Sequence, residues 1–442
     1  MRRSKVKGQS QRSRSKVKGQ RSKVKVRTIV LAILVTATLG CSREQAESKT
    51  AEQAAPKSLV ETPVSAGADP GWKVEEVRSP ASFSSVSPQL TVQSGRAILS
   101  WLVLNQPRTS LQFSERTSTG WSAARTVFEG DDLIVNTADV PSVLALADGT
   151  LAAHWLQRDG SDPEAYKLPL SWSKDSGKTW SAPVYPHHDG KRVQHGFASL
   201  FQVPGAGLGL VWLDGRATVA ADGNPGGMSL WAAAYSPDGK QLSELAVDPQ
   251  VCDCCPLSVA ATADAIVVAY RDRTSEEIRD TYVARLEGGK WSAPVAVHSD
   301  GWKIDGCPVN GPAISARGRD VVVAWFTAAN DDGRAFVAFS RDGARTFDPP
   351  IRVDDKASLG EVDVELLPDG SSAVTWIEFA EPSQSKLRRI ESTGARSPAL
   401  TLADMSKGRA PRLGQGKDEL LVVWPEVENG AAAIRTVRIP RQ

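Results

Sequence analysis

The sequence predicts an all-β protein, a seven-bladed β-propeller of four-stranded antiparallel blades. Short apolar strands bounded by Gly, Asp and Pro recur from residue 71 onwards, and no amphipathic helical pattern interrupts them. The repeat has seven copies, and the second strand of each copy ends in an aromatic residue. These residues are Trp101, Trp155, Trp212, Tyr270, Trp325, Trp376 and Trp424. Their spacings of 54, 57, 58, 55, 51 and 48 residues are typical of radial repeats.

Each unit has room for four strands, which we name A to D from the axis of the ring outwards. In the second unit the predicted strands are residues 142–146, 151–156, 168–173 and 180–184. In the fourth unit they are residues 257–261, 265–270, 281–286 and 291–297. Units of this kind arranged radially leave few free sheet edges, which favours a closed ring.

The seventh unit predicts how the ring closes. Its strands A to C are residues 411–413, 420–424 and 432–437, and the sequence ends at Gln442 before a fourth strand. Residues 72–77, with the sequence WKVEEV, resemble the D strands that begin at Trp121, Trp180 and Trp291. We therefore expect residues 72–77 to complete the last blade, and the propeller to span residues 71–442.

The amino terminus has the charge pattern of an export signal. Residues 1–40 contain twelve Lys and Arg and no acid, so the chain's net charge of +2 leaves −10 for residues 41–442. The basic block is followed by an apolar run, residues 28–40, which is too short to span a bilayer comfortably. We predict a signal peptide at residues 1–40. A basic arm for nucleic acid is the alternative interpretation, and we expect no nucleic-acid partner.

The end of the apolar run, Thr38-Leu39-Gly40-Cys41, resembles a bacterial lipoprotein signal. The resemblance implies that Cys41 carries the lipid and that the protein is anchored in the cell envelope, on the periplasmic or extracellular side. An ordinary cleaved signal is the alternative, and it also implies export. Residues 41–70 have few large apolar residues and are rich in Ala, Ser, Glu and Pro. They are predicted to form a flexible linker, with the lipid as the only membrane contact.

Two segments resemble the Asp-box, or BNR repeat, of the sialidase superfamily. Residues 173–180, SKDSGKTW, match the pattern S-x-D-x-G-x-T-W, and residues 340–347, SRDGARTF, are similar to it. The matched positions are Ser173, Asp175, Gly177, Trp180, Ser340 and Asp342. Ser236-Pro237-Asp238-Gly239 is a fragment of the same pattern. The resemblance implies a sialidase-like propeller in which each box forms the turn between strands C and D, where the Asp accepts hydrogen bonds from turn amides.

The same resemblance implies an exo-sialidase-type glycoside hydrolase, with three arginines for the sugar carboxylate, an acidic proton donor and a tyrosine nucleophile. Such enzymes usually have six blades, so a six-bladed ring is the alternative to seven. Their nucleophile comes from a late blade, whereas no tyrosine follows Tyr282 here, and Arg438-Ile439-Pro440 lies at the wrong end of the chain for the family motif. Whether the protein is an enzyme therefore stays open.

Successive turns of a meander alternate between the two faces of a propeller, so the B–C and D–A loops share the face opposite the boxes. We predict that this face, at blades three to five, binds a small anionic or glycan ligand. The candidate ligand-binding residues are Arg216, Arg271, Arg273, Asp214, His195 and Asn310. The candidate acid or base residues are Asp272 and Glu276. An internal network of ion pairs among these residues is the alternative.

Four cysteines, Cys252, Cys254, Cys255 and Cys307, are predicted to meet at the boundary between blades four and five. In an exported protein they are expected to form disulfides, for which three complete connectivities exist. The alternatives are a Cys/His metal site and a thiol-redox protein built on this cluster. No cofactor other than such a metal is expected, and we predict a monomer.

Overall fold

The structure, a computed structural model, describes residues 61–203, 207–219, 226–405 and 411–441. Cys41 and the predicted signal peptide lie outside these ranges. Nearly all regular structure in them is β-strand, and their one helix, the 3-10 helix Ala329–Asp331, is far too short to span a bilayer.

Seven antiparallel sheets form the seven predicted blades, so the six-bladed alternative is wrong. The strands of blade one are Ser85–Gln93, Arg96–Asn105, Arg108–Glu115 and Arg125–Gly130. Those of blade two are Ser142–Ala145, Leu151–His154 and Leu170–Ser173, with the hairpin Gln157–Arg158 and Tyr166–Lys167 in its B–C loop. Those of blade three are His195–Gln202, Leu208–Asp214, Met228–Tyr235 and Gln241–Val251. Those of blade four are Ser258–Ala261, Ile266–Arg271, Thr281–Glu287, Lys290–Trp291 and Val295–Ala296.

The remaining three blades follow the same order. Blade five contains Ala313–Arg317, Asp320–Thr327, Arg334–Ser340 and Ile351–Arg352. Blade six contains Ser358–Leu366, Ser372–Glu378, Gln384–Ile390, Ala395–Arg396 and Leu400–Asp404, with Ser65–Ala66 along its edge. Blade seven contains Arg412–Gln415, Glu419–Glu428, Ala431–Pro440 and Glu75–Val77.

The seven A strands form a ring, because each contacts the A strand of the next blade and the last contacts the first. They enclose a central channel with a cavity of about 250 Å³. Its lining includes four carboxylates and one arginine: Asp139, Glu361, Asp363, Glu365 and Arg412. Burial raises the pKa of Asp139 and Glu365 to about 7, but the carboxyl groups still outnumber the single arginine, so the channel disfavours anions.

The apolar core lies between neighbouring blades. All seven repeat aromatics are buried, with exposed fractions from 0% to 6%. Trp155 of blade two, for example, packs in one cluster with Ile98 and Leu102 of blade one. Alternation along each strand sends side chains to both sides of the blade, so every blade packs against two neighbours. This explains why each unit repeats the same apolar pattern.

The predicted closure of the ring is confirmed. Glu75–Val77 pairs antiparallel with Ala431–Pro440, with Glu75 opposite Arg438 and Val77 opposite Thr436. The Thr436 hydroxyl donates to the Val77 carbonyl at 2.6 Å. Trp72 packs against the apolar cluster of blades six and seven. One sheet thus contains strands from both ends of the propeller.

Two details differ from the strands expected. Blade two has no regular D strand, and a single bridge between Leu170 and Val184 stands in its place. Ser65–Ala66, within the segment expected to be linker, pairs in parallel with Ala395–Arg396. The Thr62 amide also donates to the Pro350 carbonyl at 2.8 Å. The last part of that segment therefore lies along the outer edges of blades five and six.

The two Asp-boxes form the turns implied by the resemblance. Asp175 Oδ1 accepts hydrogen bonds from the amides of Lys178 and Thr179 at 3.0 and 2.9 Å, and Asp342 Oδ1 accepts from Arg345 and Thr346 at 2.9 and 3.0 Å. The hydroxyls of Thr179 and Thr346 donate to the same carboxyl groups at 2.6 Å, and together with these amides they lower the pKa of Asp175 and Asp342. A side chain at Gly177 would collide with Phe113 of blade one, since a Cβ there would lie 2.4 Å from its ring. The boxes are therefore structural turns that also pack against the preceding blade.

Candidate functional site

The B–C and D–A loops of blades two to five bring most of the predicted residues into two clusters. One joins blades two and three around Asp214, and the other joins blades three, four and five around Cys252. Each cluster consists mainly of ion pairs and buried hydrogen bonds. Only some of its groups face solvent.

In the first cluster Asp214, which is fully buried, organises Arg216. The Arg216 guanidinium donates to Asp214 through Nε and Nη2, both at 2.8 Å, and to Glu244 through Nη2 at 2.7 Å. It also lies 3.5 Å from the centre of the Trp231 ring. The Trp212 indole donates to Asp214 at 2.8 Å. Arg216 is therefore held between two carboxylates, as the ion-pair alternative expects.

His195 lies next to the ion pair of Asp214 and Arg216, and its side chain is 1% exposed. Its Nε2 is 2.9 Å from Asp189 Oδ2, and its ring stacks on His187 at 3.6 Å. Burial, together with the neighbouring His195, lowers the pKa of His187 to about 3. His187 is therefore a neutral imidazole at physiological pH. It separates His195 from the surface, so a ligand would meet His187 rather than the predicted His195.

Arg273 centres the second cluster. Its guanidinium bonds Asp253 at 2.9 Å and Glu277 at 2.7 Å. Arg279 donates to Glu277 at 2.8 Å and to Cys252 Sγ at 3.3 Å. The loops before and within blade four are thus joined by a continuous chain of charged hydrogen bonds.

The structure does not place Arg271 where a ligand could reach it. Its side chain is 1% exposed, and it donates to the carbonyls of Arg279 at 2.6 Å, Phe326 at 2.8 Å and Asn310 at 2.9 Å. Its guanidinium also lies 4.8 Å from the centre of the Trp302 ring. A guanidinium has several donors in a fixed plane, and here they fasten the loops of blades four and five. We assign Arg271 to this fastening instead of to a ligand.

Asn310 also serves the backbone. Its Oδ1 accepts from the Glu361 amide at 2.7 Å, and its Nδ2 donates to the Leu359 carbonyl at 3.3 Å. Asn310 therefore joins the loop that precedes the A strand of blade five to the first residues of the A strand of blade six. The three arginines consequently do not form an open clamp for a carboxylate, because Arg216 and Arg273 are ion-paired and Arg271 is buried.

Asp272 has the properties of a proton donor. Burial raises the pKa of Asp272 to about 7, and the carboxylates of Asp248 and Asp280 act in the same direction. Asp280 accepts from the amides of Gly301 and Trp302 at 2.9 and 3.0 Å. Glu276, the other predicted acid, is exposed on the loop. Asp272 can therefore hold a proton near neutral pH, a condition that a general acid requires.

The cysteines meet as the sequence predicts. Cys254 and Cys307 form a disulfide with a Cα–Cα distance of 6.0 Å, and Cys252 and Cys255 are free and buried. The Sγ atoms of these two thiols lie 3.4 Å apart. The structure therefore has one of the two expected disulfides, and Cys252 and Cys255, which would form the other, are unpaired. The Sγ atoms of Cys252, Cys254 and Cys255 all lie within 4.8 Å of one another.

A groove of about 680 Å³ opens between the outer parts of blades two and three, beside the first cluster. Most of its lining is polar, basic or aromatic. The lining residues are Asp159, Lys167, Val184, Tyr185, His187, His188, Gly190, Lys191, Arg192, Tyr235, Gly239 and Gln241. We call it the 2–3 groove. Its volume is in the range of small-ligand sites.

Sequence reasoning missed several residues of this region. Asp189 directly follows the His187-His188 pair, and that adjacency could have identified it as the partner of a histidine. Glu244 lies on the D strand of blade three, where nothing in its neighbourhood marks it as the partner of Arg216. Arg192 and Tyr185 lie in the predicted D–A loop. Which side chains of that loop line the groove depends on its three-dimensional path, which the sequence does not show.

No protein-family model matches the chain, and no curated protein sequence matches it. Among solved structures, a polysaccharide lyase is similar with a TM-score of 0.52 at 10% identity, over 83% of this chain and 92% of the other. An α-L-arabinofuranosidase from Fusarium graminearum gives 0.47 at 12% identity, over 83% and 97%. A Hadza microbial sialidase gives 0.40 at 16% identity, over 72% and 66%. At these identities the likeness is one of fold.

Proposed function

We propose that this protein binds an acidic saccharide, one that carries carboxylate or sulfate groups, in the 2–3 groove. The observation that carries the proposal is the charge of the groove. Its lining has three basic side chains and one carboxylate, Asp159, which pairs with Lys167 at 3.2 Å and leaves Lys191 and Arg192 as the excess positive charge. Residues 41–442 together have a net charge of −10. A basic groove on an acidic protein attracts anions to one place.

The groups in the groove suit a sugar. Arg192 is exposed and has no ion-pair or hydrogen-bond partner among the described residues, so its guanidinium is available for a bidentate bond to a carboxylate or sulfate. His188 has a side chain that is 64% exposed. The partly exposed Tyr185 offers an aromatic surface for a sugar ring. Charge and aromatic surface thus occur together.

Three other concave surfaces fit an acidic saccharide less well. A cavity of about 770 Å³ between blades one and seven contains three arginines, but two of them, Arg116 and Arg438, are ion-paired with glutamates. The central channel has four carboxylates in its lining. A basic cavity of about 330 Å³ on the Asp-box face, lined by Arg317, Lys417 and Arg441, has no aromatic side chain and half the volume of the 2–3 groove. The predicted ligand residues of blades three to five are ion-paired or buried. The shared fold of a polysaccharide lyase supports a saccharide as the ligand without identifying it.

Binding can be measured by titration calorimetry on the full chain with a glucuronate-containing tetrasaccharide. A neutral tetrasaccharide of the same length serves as the reference ligand. We expect only the acidic one to bind, with an affinity that falls as salt rises. Arg192→Ala should weaken binding about tenfold or more, because it removes a charge-assisted hydrogen bond.

Arg319→Ala is the matched control, since this exposed arginine lies in the A–B turn of blade five, on the opposite face. It should leave the affinity unchanged. Equal binding of the neutral and acidic sugars, or equal losses in the two variants, would contradict the proposal. If the titration also released shortened saccharide, the protein would be an enzyme as well as a binding protein, and Asp272 would be the first residue to test as its proton donor.

We propose further that the protein acts outside the cytoplasm, held in the envelope by a lipid on Cys41. The support is the resemblance of residues 38–41 to a lipoprotein signal. Labelling of cells with a radioactive fatty acid should mark the wild-type chain and not Cys41→Ala. Label retained in Cys41→Ala would contradict the anchor. The monomeric state and the lack of nucleic-acid binding stay predictions.

A further inference from the structure

The four clustered cysteines are divided between a surface half and a buried half. Cys307 is exposed and Cys254 is half-buried, and these two form the disulfide. Cys252 and Cys255 are 1% and 2% exposed and stay reduced. The Sγ atoms of Cys252, Cys254 and Cys255 lie within 4.8 Å of one another. The buried thiols are therefore close to one sulfur of the disulfide.

The surroundings make Cys252 the nucleophile. The hydrogen bond from Cys255 and the donation from Arg279 Nη1, at 3.4 and 3.3 Å, lower the pKa of Cys252. Burial raises the pKa of Cys255. The pair therefore consists of a thiolate at Cys252 and a thiol at Cys255. Thiol–disulfide exchange needs a thiolate close to a disulfide sulfur, and Cys252 Sγ lies within 4.8 Å of Cys254 Sγ.

We propose that the four cysteines form a thiol–disulfide exchange site in which the disulfide passes between the surface pair, Cys254–Cys307, and the buried pair, Cys252–Cys255. In the first step the Cys252 thiolate attacks Cys254 Sγ, the Cys254–Cys307 bond breaks, and Cys307 leaves as a thiolate. In the second step Cys255, after losing its proton, attacks Cys252 Sγ and releases Cys254 as a thiolate.

The exchange balances within the protein. One disulfide is present before and after, so no external oxidant or reductant is used. The one proton of the buried pair, from Cys255, ends on Cys254 or Cys307, and the other sulfur of the surface pair carries the negative charge that Cys252 had at the start. The product has two thiols at the surface, where a low-molecular-weight thiol or disulfide can react with them. It also lacks the covalent link between the loops that precede the A strands of blades four and five.

The test traps the surface thiols in the unmodified full chain. The protein is held without reductant with an excess of a maleimide, quenched in acid, and its cysteines are mapped by tandem mass spectrometry. We expect maleimide on Cys254 and Cys307 and a new Cys252–Cys255 disulfide. The reaction should be faster at pH 8 than at pH 5, because exchange requires the Cys252 thiolate. In Cys252→Ala the Cys254–Cys307 disulfide should persist and take no label.

Cys255→Ala provides a second arm that stops the exchange midway. It should accumulate a Cys252–Cys254 disulfide with maleimide on Cys307 alone. The proposal is overturned if Cys254–Cys307 stays intact in the wild type, if both pairs are disulfides in the purified protein, or if elemental analysis finds a stoichiometric metal ion that protects Cys252 and Cys255 from label.

Discussion

Deletion of residues 71–79 from the full chain is expected to destabilise the whole propeller, because it removes the strand that closes the ring. The deletion exposes the edge of Ala431–Pro440 and takes away Trp72 from the core of blades six and seven. It also removes the ion pairs of Glu75 with Arg438 and of Glu76 with Arg435, at 2.7 and 3.2 Å. Lost apolar burial and backbone hydrogen bonds together amount to about 5 kcal/mol, comparable to the stability of many domains.

Thermal unfolding followed by circular dichroism measures this effect. We expect the deletion variant to lose its cooperative transition or to unfold at a midpoint lower by about 10 °C or more. Deletion of residues 42–50, in the predicted linker, is the control of equal length and should change nothing. An unchanged transition in the first variant would show that the ring does not depend on its amino-terminal strand.

Arg271→Ala is the substitution with the second largest expected effect. It leaves three carbonyls without their guanidinium partner and a void beside Trp302, between the loops of blades four and five. We expect a loss of about 3–5 kcal/mol in the free energy of unfolding, the usual cost of opening a buried charged network. Arg271→Lys should recover little, since one ammonium cannot reproduce the planar set of donors.

Urea denaturation measures this loss. We expect the slope of the unfolding free energy against urea concentration to be the same in the variant and the wild type. Arg273→Ala is the matched control, because this arginine is partly exposed and ion-paired in the same cluster, and its loss should cost under about 1 kcal/mol. Saccharide binding by folded Arg271→Ala should match that of the wild type. A variant that keeps full stability and loses binding would restore the carboxylate clamp expected from the sialidase resemblance.

The fold could be predicted because its determinants are local and repeated. The sequence shows an aromatic residue in or just after each B strand, and it shows the resemblance of residues 72–77 to the D strands of other units. The Asp-boxes are equally local, since Asp175 bonds amides only three and four residues away. The pairing of Ser65–Ala66 with blade six has no such signal, because a two-residue parallel pair leaves no periodicity.

The site was predicted less well because its chemistry depends on partners distant in sequence. Arg216 is paired with its neighbour Asp214 and also with Glu244, 28 residues away, whereas Arg192 has no partner among the described residues. The same holds for Arg271, whose carbonyl partners include Phe326, 55 residues away. Topology predicted which loops meet. It did not predict which charges remain free within them.

A structure of the full chain with a glucuronate-containing tetrasaccharide bound tests the functional assignment most directly. We expect the sugar in the 2–3 groove, with an acidic group on the Arg192 guanidinium and a ring against Tyr185. A sugar bound instead at the Asp-box face, or held by Arg216 and Arg273 after their ion pairs open, would contradict this assignment.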